Sequence, residues 1–519
     1  MAIELSDFSD IGTERRFDPN PPIPSQIDTL AAFIGKANRG PLNEPVVVES
    51  FESYRKVFGG HGQLGFLSHA VQQYFQHGGR WAAVVRVANH ATRAQLDLPA
   101  QGEFLKLHAR EPGSHTLLRA SVDYDGIRSN DGRFNLVVQR LARPGSQLVE
   151  DQELFRGLST DEADQRFIVD VLRSSELVEL GGPLPACRPD TTRAEHPGQA
   201  LPYVEMSMPG HDGDELTDYD IVGSNDERTG LFALDDLDRV DLVNIPLLAS
   251  GRDHGITTFL AAERYCNRRR AMLIWDPPWS WNSVDAALLG LRNSGVRSPN
   301  AMSYFPRVCS ETSPQRHGLG LPAGGAVAGL LARADQGPRW QTLSESAAQL
   351  HAGLYPQLDV TERQAAMLQR SGLNAFTSCR RGGLLIGNAS LAGPSAAFLL
   401  WQRLDRRRLL FHILGSLERH TRWVLSVDWD RELERRLTGQ VGAFLRTLFE
   451  QGALPGSRPE QAYFVKVQAA IRGSDPELVM RVGIALERPN EYQIYDIVHR
   501  PERSQARPAP PLEAAQLAS

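Results

Sequence analysis

The sequence predicts a multidomain α/β (α+β) chain. An α/β middle domain is interrupted by a β-rich insertion and followed by a helix-plus-sheet carboxyl-terminal domain, with extended arms at both ends. Three observations carry this expectation. Apolar runs that read as buried strands alternate with helix-period stretches on both sides of residues 91–230. Between them the composition turns to Asp, Gly, Pro and Ser. Beyond residue 396 two long amphipathic stretches precede three strand-like ones.

In order, residues 1–24 are polar and end in Pro19, Pro21, Pro22 and Pro24, which makes them an arm rather than a domain. Within it Ile3, Leu5 and Phe8 alternate roughly as one face of a short strand would. The middle domain covers 25–90 and 231–395. TLAAFIG and VVV are its first strands, SFESYRKVF is a helix capped by Ser50, and WAAVVRV at 81–87 is a buried strand. The insertion, 91–230, holds strands such as TLLRASVDY and FNLVVQRL. Alternation then resumes with AMLIW, AMSYF and the small-residue helix AGGAVAGLLARAD; Thr361 and Gln364 form a capping box ahead of TERQAAMLQRSG. The last domain, 396–500, has helices near 401–420 and 430–451 and then YFVKV, VMRVGIAL and EYQIYDIV. Residues 501–519 read as a disordered Pro/Ala-rich tail.

Composition narrows the function. A net charge of −6 and a pI near 6.2 give no overall basic field for nucleic acid. Cys187, Cys266, Cys309 and Cys379 are too dispersed for a metal or redox pair and fit a reducing cytoplasm. The amino terminus lacks a signal peptide's apolar core, and no apolar run approaches the roughly 20 residues of a membrane span.

The motif that most suggests an enzyme is G-x-G-x-x-G at Gly60, Gly62 and Gly65. A dinucleotide fingerprint needs a strand before the first glycine and an acid at the end of the second strand. Here a helix precedes it and Arg86 stands where the acid would, so the glycines read as a turn between two helices. There is no G-x-x-x-x-G-K-[ST], H-E-x-x-H or G-x-S-x-G. The acidic loop Asp212, Asp214, Asp218 and Asp220, like the group Asp123, Asp125 and Asp131, lacks the spacing of a calcium loop. No catalytic, cofactor or metal residue is expected. WDPPWSWN at 275–282 reads as a strand end with core tryptophans, and WQRLDRRRLL at 401–410 as an amphipathic helix showing a basic face to a protein partner.

Several segments resemble one family, the contractile tail sheath proteins of bacteriophages and phage-tail-like injection systems. AAFIGKANRGPLNEPVVVESFESYRKVFGG and AVQQYFQHGGRWAAVVRV are similar to its amino-terminal core. LFALDDLDRVDLVNIPLL, MLIWDPP, YFPRV, LPAGGAVAGLLARAD, SGLNAFTSCRRGGLLIGNASL, DRRRLLFHILGSLERHTRWV and FLRTLFEQGALPGSRPEQAYFVKV follow in family order. The amino terminus lacks the Pro-Gly-Val-Tyr-type strand with which such proteins often begin. The resemblance implies a non-enzymatic structural subunit with a sheath core, forming homo-oligomeric hexameric rings stacked around an inner tube and meeting baseplate and terminator proteins. It implies assembly in a bacterial cytoplasm, with neither nucleic acid nor membrane insertion. Terminal strands would be exchanged between subunits, with Ile3, Leu5, Phe8, Val482, Ile484, Tyr492 and Ile494 as candidates. Arg403, Arg406, Arg407 and Arg435 are the candidates for inner-tube contact. The alternatives are a non-contractile baseplate or cap protein of the same family, or a glycan-acting hydrolase using the insertion's carboxylates.

Overall fold

The computed structural model describes residues 22–26, 28–61, 65–128, 131–192, 202–310, 320–337, 349–351, 353–378, 384–385, 387–394, 396–427, 430–472, 475–500 and 503–509. The chain divides into two compact units, one of Asp28–Arg333 and Ser344–Ser395, the other of Met1–Ile27, Ala334–Leu343 and Ala396–Ser519.

The first unit opens with β1 (Leu30–Gly35), β2 (Pro45–Val48), α1 (Phe51–Phe58), α2 (Leu67–Gln76) and β3 (Trp81–Arg86). Ser50 starts α1 because its Oγ accepts from Ser53 N–H at 3.0 Å. The insertion follows as β4 (Arg93–Ala100), β5 (Glu103–Pro112), β6 (Leu117–Asp123), β7 (Phe134–Leu141), β8 (Val149–Leu158), α3 (Ile168–Leu172), β9 (Val178–Leu180) and β10 (Val204–Glu205). The chain returns through α4 (Asp218–Val222), β11 (Leu242–Asn244), α5 (Ile256–Arg269), β12 (Met272–Ile274), α6 (Val284–Ser294) and β13 (Ala301–Met302). Short pieces β14 (Tyr304–Phe305) and β15 (Val308–Ser310) lead to α7 (Gly324–Ala334). The unit ends with β16 (Leu354–Pro356), α8 (Glu362–Arg370), β17 (Asn374–Ala375), β18 (Thr377–Ser378) and β19 (Leu384–Leu385). Thr361 and Gln364 close the expected capping box on α8.

A six-stranded sheet ordered β13-β12-β11-β1-β3-β2, parallel except for β2, gathers strands from both sides of the insertion. Both faces are covered, as a parallel sheet requires. Ala32 and Ile34 of β1 join a core with Phe259 and Ala262 of α5 and Leu291 of α6, while Phe33 meets Tyr74 of α2 edge-on at 5.4 Å. The insertion builds its own core from two antiparallel sheets, β4-β5-β9 and β10-β6-β7-β8, around Leu96, Leu107, Val122, Phe134 and Leu136. It ends earlier than the expected boundary at 230. Leu216 and Ile221 already pack in the core of the parallel sheet, and the polar composition of 217–230 hid that return.

The second unit contains α9 (Leu404–His420), α10 (Arg431–Glu450), α11 (Pro459–Ala462) and the antiparallel strands β20 (Tyr463–Arg472), β21 (Asp475–Ala485), β22 (Tyr492–Arg500) and β23 (Arg503–Pro508). Leu409, Ile413 and Leu417 of α9 and Leu437, Val441 and Phe444 of α10 form one core with Met480, Val482 and Ile497 of the sheet. Strand β23 corrects the expectation of a disordered tail from 501. Its few apolar residues concealed a period of two, in which Ser504 and Ala506 are buried and Gln505 and Arg507 less so. Residues 510–519 lie outside the described residues.

Candidate assembly site

The sheet of the second unit is a meander with order β20-β21-β22-β23. Its first and last strands are therefore its edges; β21 is paired on both sides, and β22 is paired with β23 from Tyr495 to Arg500. The exchange candidates Val482 and Ile484 therefore lie on an inner strand. Val482 pairs with Val465 and Tyr495, and Ile484 with Tyr463 and Gln493. Both side chains are buried in the core rather than offered to a neighbour. Tyr492 and Ile494 lie half-buried on β22, the Tyr492 ring edge-on to Phe464 at 5.2 Å. Ile3, Leu5 and Phe8 lie outside the described residues.

The two edges differ. On β23 the Ala506 N–H, opposite Ile497, donates to Glu418 Oε1 of α9 at 2.6 Å, so a helix side chain covers that edge at Ala506. Strand β20 pairs with β21 from Tyr463 to Arg472, and no strand among the described residues pairs with its other side. With a fourth strand in place, the meander leaves β22 no free side from Tyr495 onward.

His499 locks the β22–β23 turn to the end of α9. Thr421 Oγ1 donates its hydrogen to Leu417 O at 2.5 Å, so it accepts from His499 Nε2–H at 3.1 Å, leaving Nδ1 to accept from Ser504 Oγ at 2.7 Å. Burial pushes this imidazole down to about 4, helped by the charge of Arg422.

The candidate tube-contact arginines do not share one role. Arg407 is buried, its guanidinium 4.8 Å from the Trp401 ring and 4.4 Å from that of Phe411, so it belongs to the packing of α9 and not to a contact surface. Arg403 at the start of α9 binds the buried Asp405 through Nε at 3.1 Å. Arg406 is half-buried. Arg435 on α10 is exposed and pairs with Glu432 one turn earlier at 2.7 Å.

In the first unit the strand order reverses between β1 and β11, where open α/β sheets bind ligands beyond the carboxyl ends of their strands. Here the chain itself fills that crevice. Gly65, with φ of 145°, lies so close to Leu248 that a Cβ would sit 2.9 Å from its carbonyl oxygen. Phe66, Leu247 and Leu321 pack there with Trp279. The amino terminus of α7, which in such folds can hold a phosphate, is instead taken by Asp276, whose Oδ1 accepts from Gly324 N–H at 2.9 Å. Burial pushes Asp276 up to about 6, against the hydrogen bonds from Asn244 and Gly324.

Arg86 does not hold a ribose. It is buried and donates to Gly40 O at 2.7 Å and Pro112 O at 2.8 Å, tying the insertion to the parallel sheet. Beside it lies a cleft of about 1180 Å³ in which two glutamates face arginines. Glu150 meets Arg39 and Arg140, and Glu179 meets Arg93 and Arg110. Burial raises the Glu150 carboxyl, but the Arg39 hydrogen bond and the charges of Arg39 and Arg140 outweigh it and hold the group low. That is the reverse of what a general acid needs. The acidic loops are likewise occupied by protein donors. Asp212 accepts from Ser114, Asp218 from Gly255, and Asp123 from Asp125 N–H and Asn135.

No family model and no curated protein matches the sequence. Solved structures do. The sheath tail protein of Listeria innocua superposes with a TM-score of 0.62 at 12% identity over 91% of this chain and 95% of that one. The sheath tail protein of Desulfitobacterium hafniense gives 0.56 at 11% identity over 94% and 100%. The sheath of an extracellular contractile injection system, PVC, in its contracted state gives 0.53 at 14% over 94% and 96%. The chain therefore has the fold of contractile sheath tail proteins across nearly its whole length.

Proposed function

We propose that this protein is a structural, non-enzymatic subunit of a contractile sheath. It polymerises as stacked hexameric rings around an inner tube and contracts to drive that tube through a target envelope. The observation that supports this most is the extent of the likeness: sheath tail proteins are matched over 95% to 100% of their own chains, so a whole architecture is shared and not one common domain. On this reading the particle is assembled in a bacterial cytoplasm, with baseplate and terminator proteins at its ends. The energy of contraction resides in the extended lattice, as rigid subunits rotate about flexible links.

The links are strands. The amino-terminal arm, with Ile3, Leu5 and Phe8 on one face, adds in a neighbouring subunit to the side of β20 with which no described strand pairs, and extends its sheet through main-chain hydrogen bonds. Arg403, Arg406 and Arg435 face an acidic inner tube, each contact contributing about 0–1 kcal/mol and repeated in every subunit. Electron microscopy of the purified full-length protein tests the assignment. Tubes or stacked rings are expected; single rings that never elongate would favour a cap protein, and monodisperse monomers at every concentration would contradict a sheath.

A further inference from the structure

A cavity of about 340 Å³ lies in the first unit where α6 and α8 meet, a size within the range of small-molecule sites. Leu288 and Leu291 of α6, Met367 of α8 and Pro394 give it an apolar wall. Behind Pro394 two turns touch through their backbones, since a Cβ on Gly372 would sit 2.9 Å from the Gly393 nitrogen. The cations at its border are Arg292, Arg297 and Arg370, and among the described residues no aspartate or glutamate borders it. It differs in this from the large cleft beside Arg86, where glutamates face the arginines.

None of the three charges is neutralised by a described carboxylate. Other exposed arginines on helices of this chain pair within their own helix turn, Arg173 with Asp170 and Arg435 with Glu432. The guanidinium groups of Arg292 and Arg370 make no hydrogen bond or ion pair with any described residue. Arg297 donates only to main-chain carbonyls, Val296 O at 2.6 Å and Leu291 O at 3.4 Å, and its Nε lies over Gly393, where a Cβ would be 3.3 Å away. Helix dipoles favour a cation in the last turn of α6 and of α8, which accounts for Arg292 and Arg370 one by one. They do not account for Arg297, which follows α6, or for an apolar wall beside all three. Like charges around one cavity repel each other, and an anion drawn between them relieves that repulsion without needing any one fixed hydrogen bond. An apolar group on the same anion would cover Leu288 and Met367, the latter 45% exposed. A cation or a neutral polar molecule gains neither.

We propose that this cavity binds a small phosphate monoester with an apolar substituent, the phosphate drawn by the charges of Arg292, Arg297 and Arg370 and the substituent resting on Leu288 and Met367. A dianion suits three guanidinium groups better than a single carboxylate does, and the planar guanidinium fork matches phosphate oxygens.

Calorimetric titration of the full-length protein with phenyl phosphate, inorganic phosphate and benzyl alcohol in turn tests it. Phenyl phosphate should saturate one site per chain, bind roughly 5-fold or more tightly than inorganic phosphate because its ring is buried, and leave benzyl alcohol without saturable binding. Arg292→Ala and Arg370→Ala should each weaken phenyl phosphate about 10-fold, as loss of a charged partner would. Both side chains are exposed, so these variants should fold like the wild type. Arg363→Ala, on α8 but outside the cavity lining, should change the affinity by less than about 2-fold. No saturable binding of phenyl phosphate, equal affinity for inorganic phosphate, or an Arg363→Ala variant weakened as much as Arg370→Ala would each overturn the proposal. The last of these is the result expected of surface charge alone.

Discussion

Arg86 is the residue on which the first unit's architecture turns. The sequence placed it at the end of a buried strand, where a nucleotide-binding protein would carry an acid, and so argued against that chemistry. It could not show what the arginine does, because the partners are main-chain carbonyls at Gly40 and Pro112. Arg86→Ala should cost about 3–5 kcal/mol in urea unfolding, since it strands buried carbonyls and the nearby Glu111. Buried histidines make a second prediction. Folding depresses His499 to about 4 from an unfolded value near 6.5. The unfolded chain therefore binds more protons between those values. The stability His499 contributes is complete above pH 6.5 and is lost as pH falls toward 4, about 2 kcal/mol of it by pH 5. His77, also pushed down to about 4 by burial, acts in the same direction in the first unit. Asp276 opposes it there, because a carboxyl raised to about 6 favours the folded state most at low pH and loses that advantage as pH rises. Denaturant midpoints at pH 7 and pH 5 should therefore fall in the wild type and fall less in His499→Gln.

At the scale of elements, glycines separate packing from permissiveness. On α7, Gly325 lies against α2 so closely that a Cβ would be 2.1 Å from Ala70 O. Gly325→Val should destabilise by more than about 2 kcal/mol, because backbone cannot move aside. On α10, Gly439 has open space around it, and Gly439→Ala should stabilise by about 0.5–1 kcal/mol. Thermal melts of the two variants check the pair. The small-residue run in AGGAVAGLLARAD was legible as a helix, and its glycines now have a partner that no sequence pattern names. Caps at Ser50 and Thr361 were legible because they are local. The strand at 503–508 was not, since a short polar edge strand has almost no apolar signal, and without it β22 reads as an edge along its whole length. The arm's proposed role follows from the β20 edge, with whose outer side no described strand pairs. Deleting residues 2–12 should leave a folded, soluble protein that no longer forms long tubes by electron microscopy, whereas tubes of normal length would remove strand donation by this arm.

At the scale of the whole molecule, the order of segments in the sequence pointed to the fold, and the structure carries the same likeness over 91% to 94% of the chain at 11% to 14% identity. At such identity side chains diverge while architecture persists, so the arginines named for tube contact could be proposed from pattern but not assigned. Arg407, turned into the ring pair of Trp401 and Phe411, shows how a basic stripe in sequence can divide between surface and core. The central claim is that this chain builds a sheath by completing its β20 edge with a neighbour's arm. Helical reconstruction by cryo-electron microscopy of tubes formed by the full-length protein tests it most directly. Six subunits per ring and an added strand from residues 1–12 of an adjacent subunit along β20 are expected. A helical assembly in which β20 borders solvent in every subunit would contradict it.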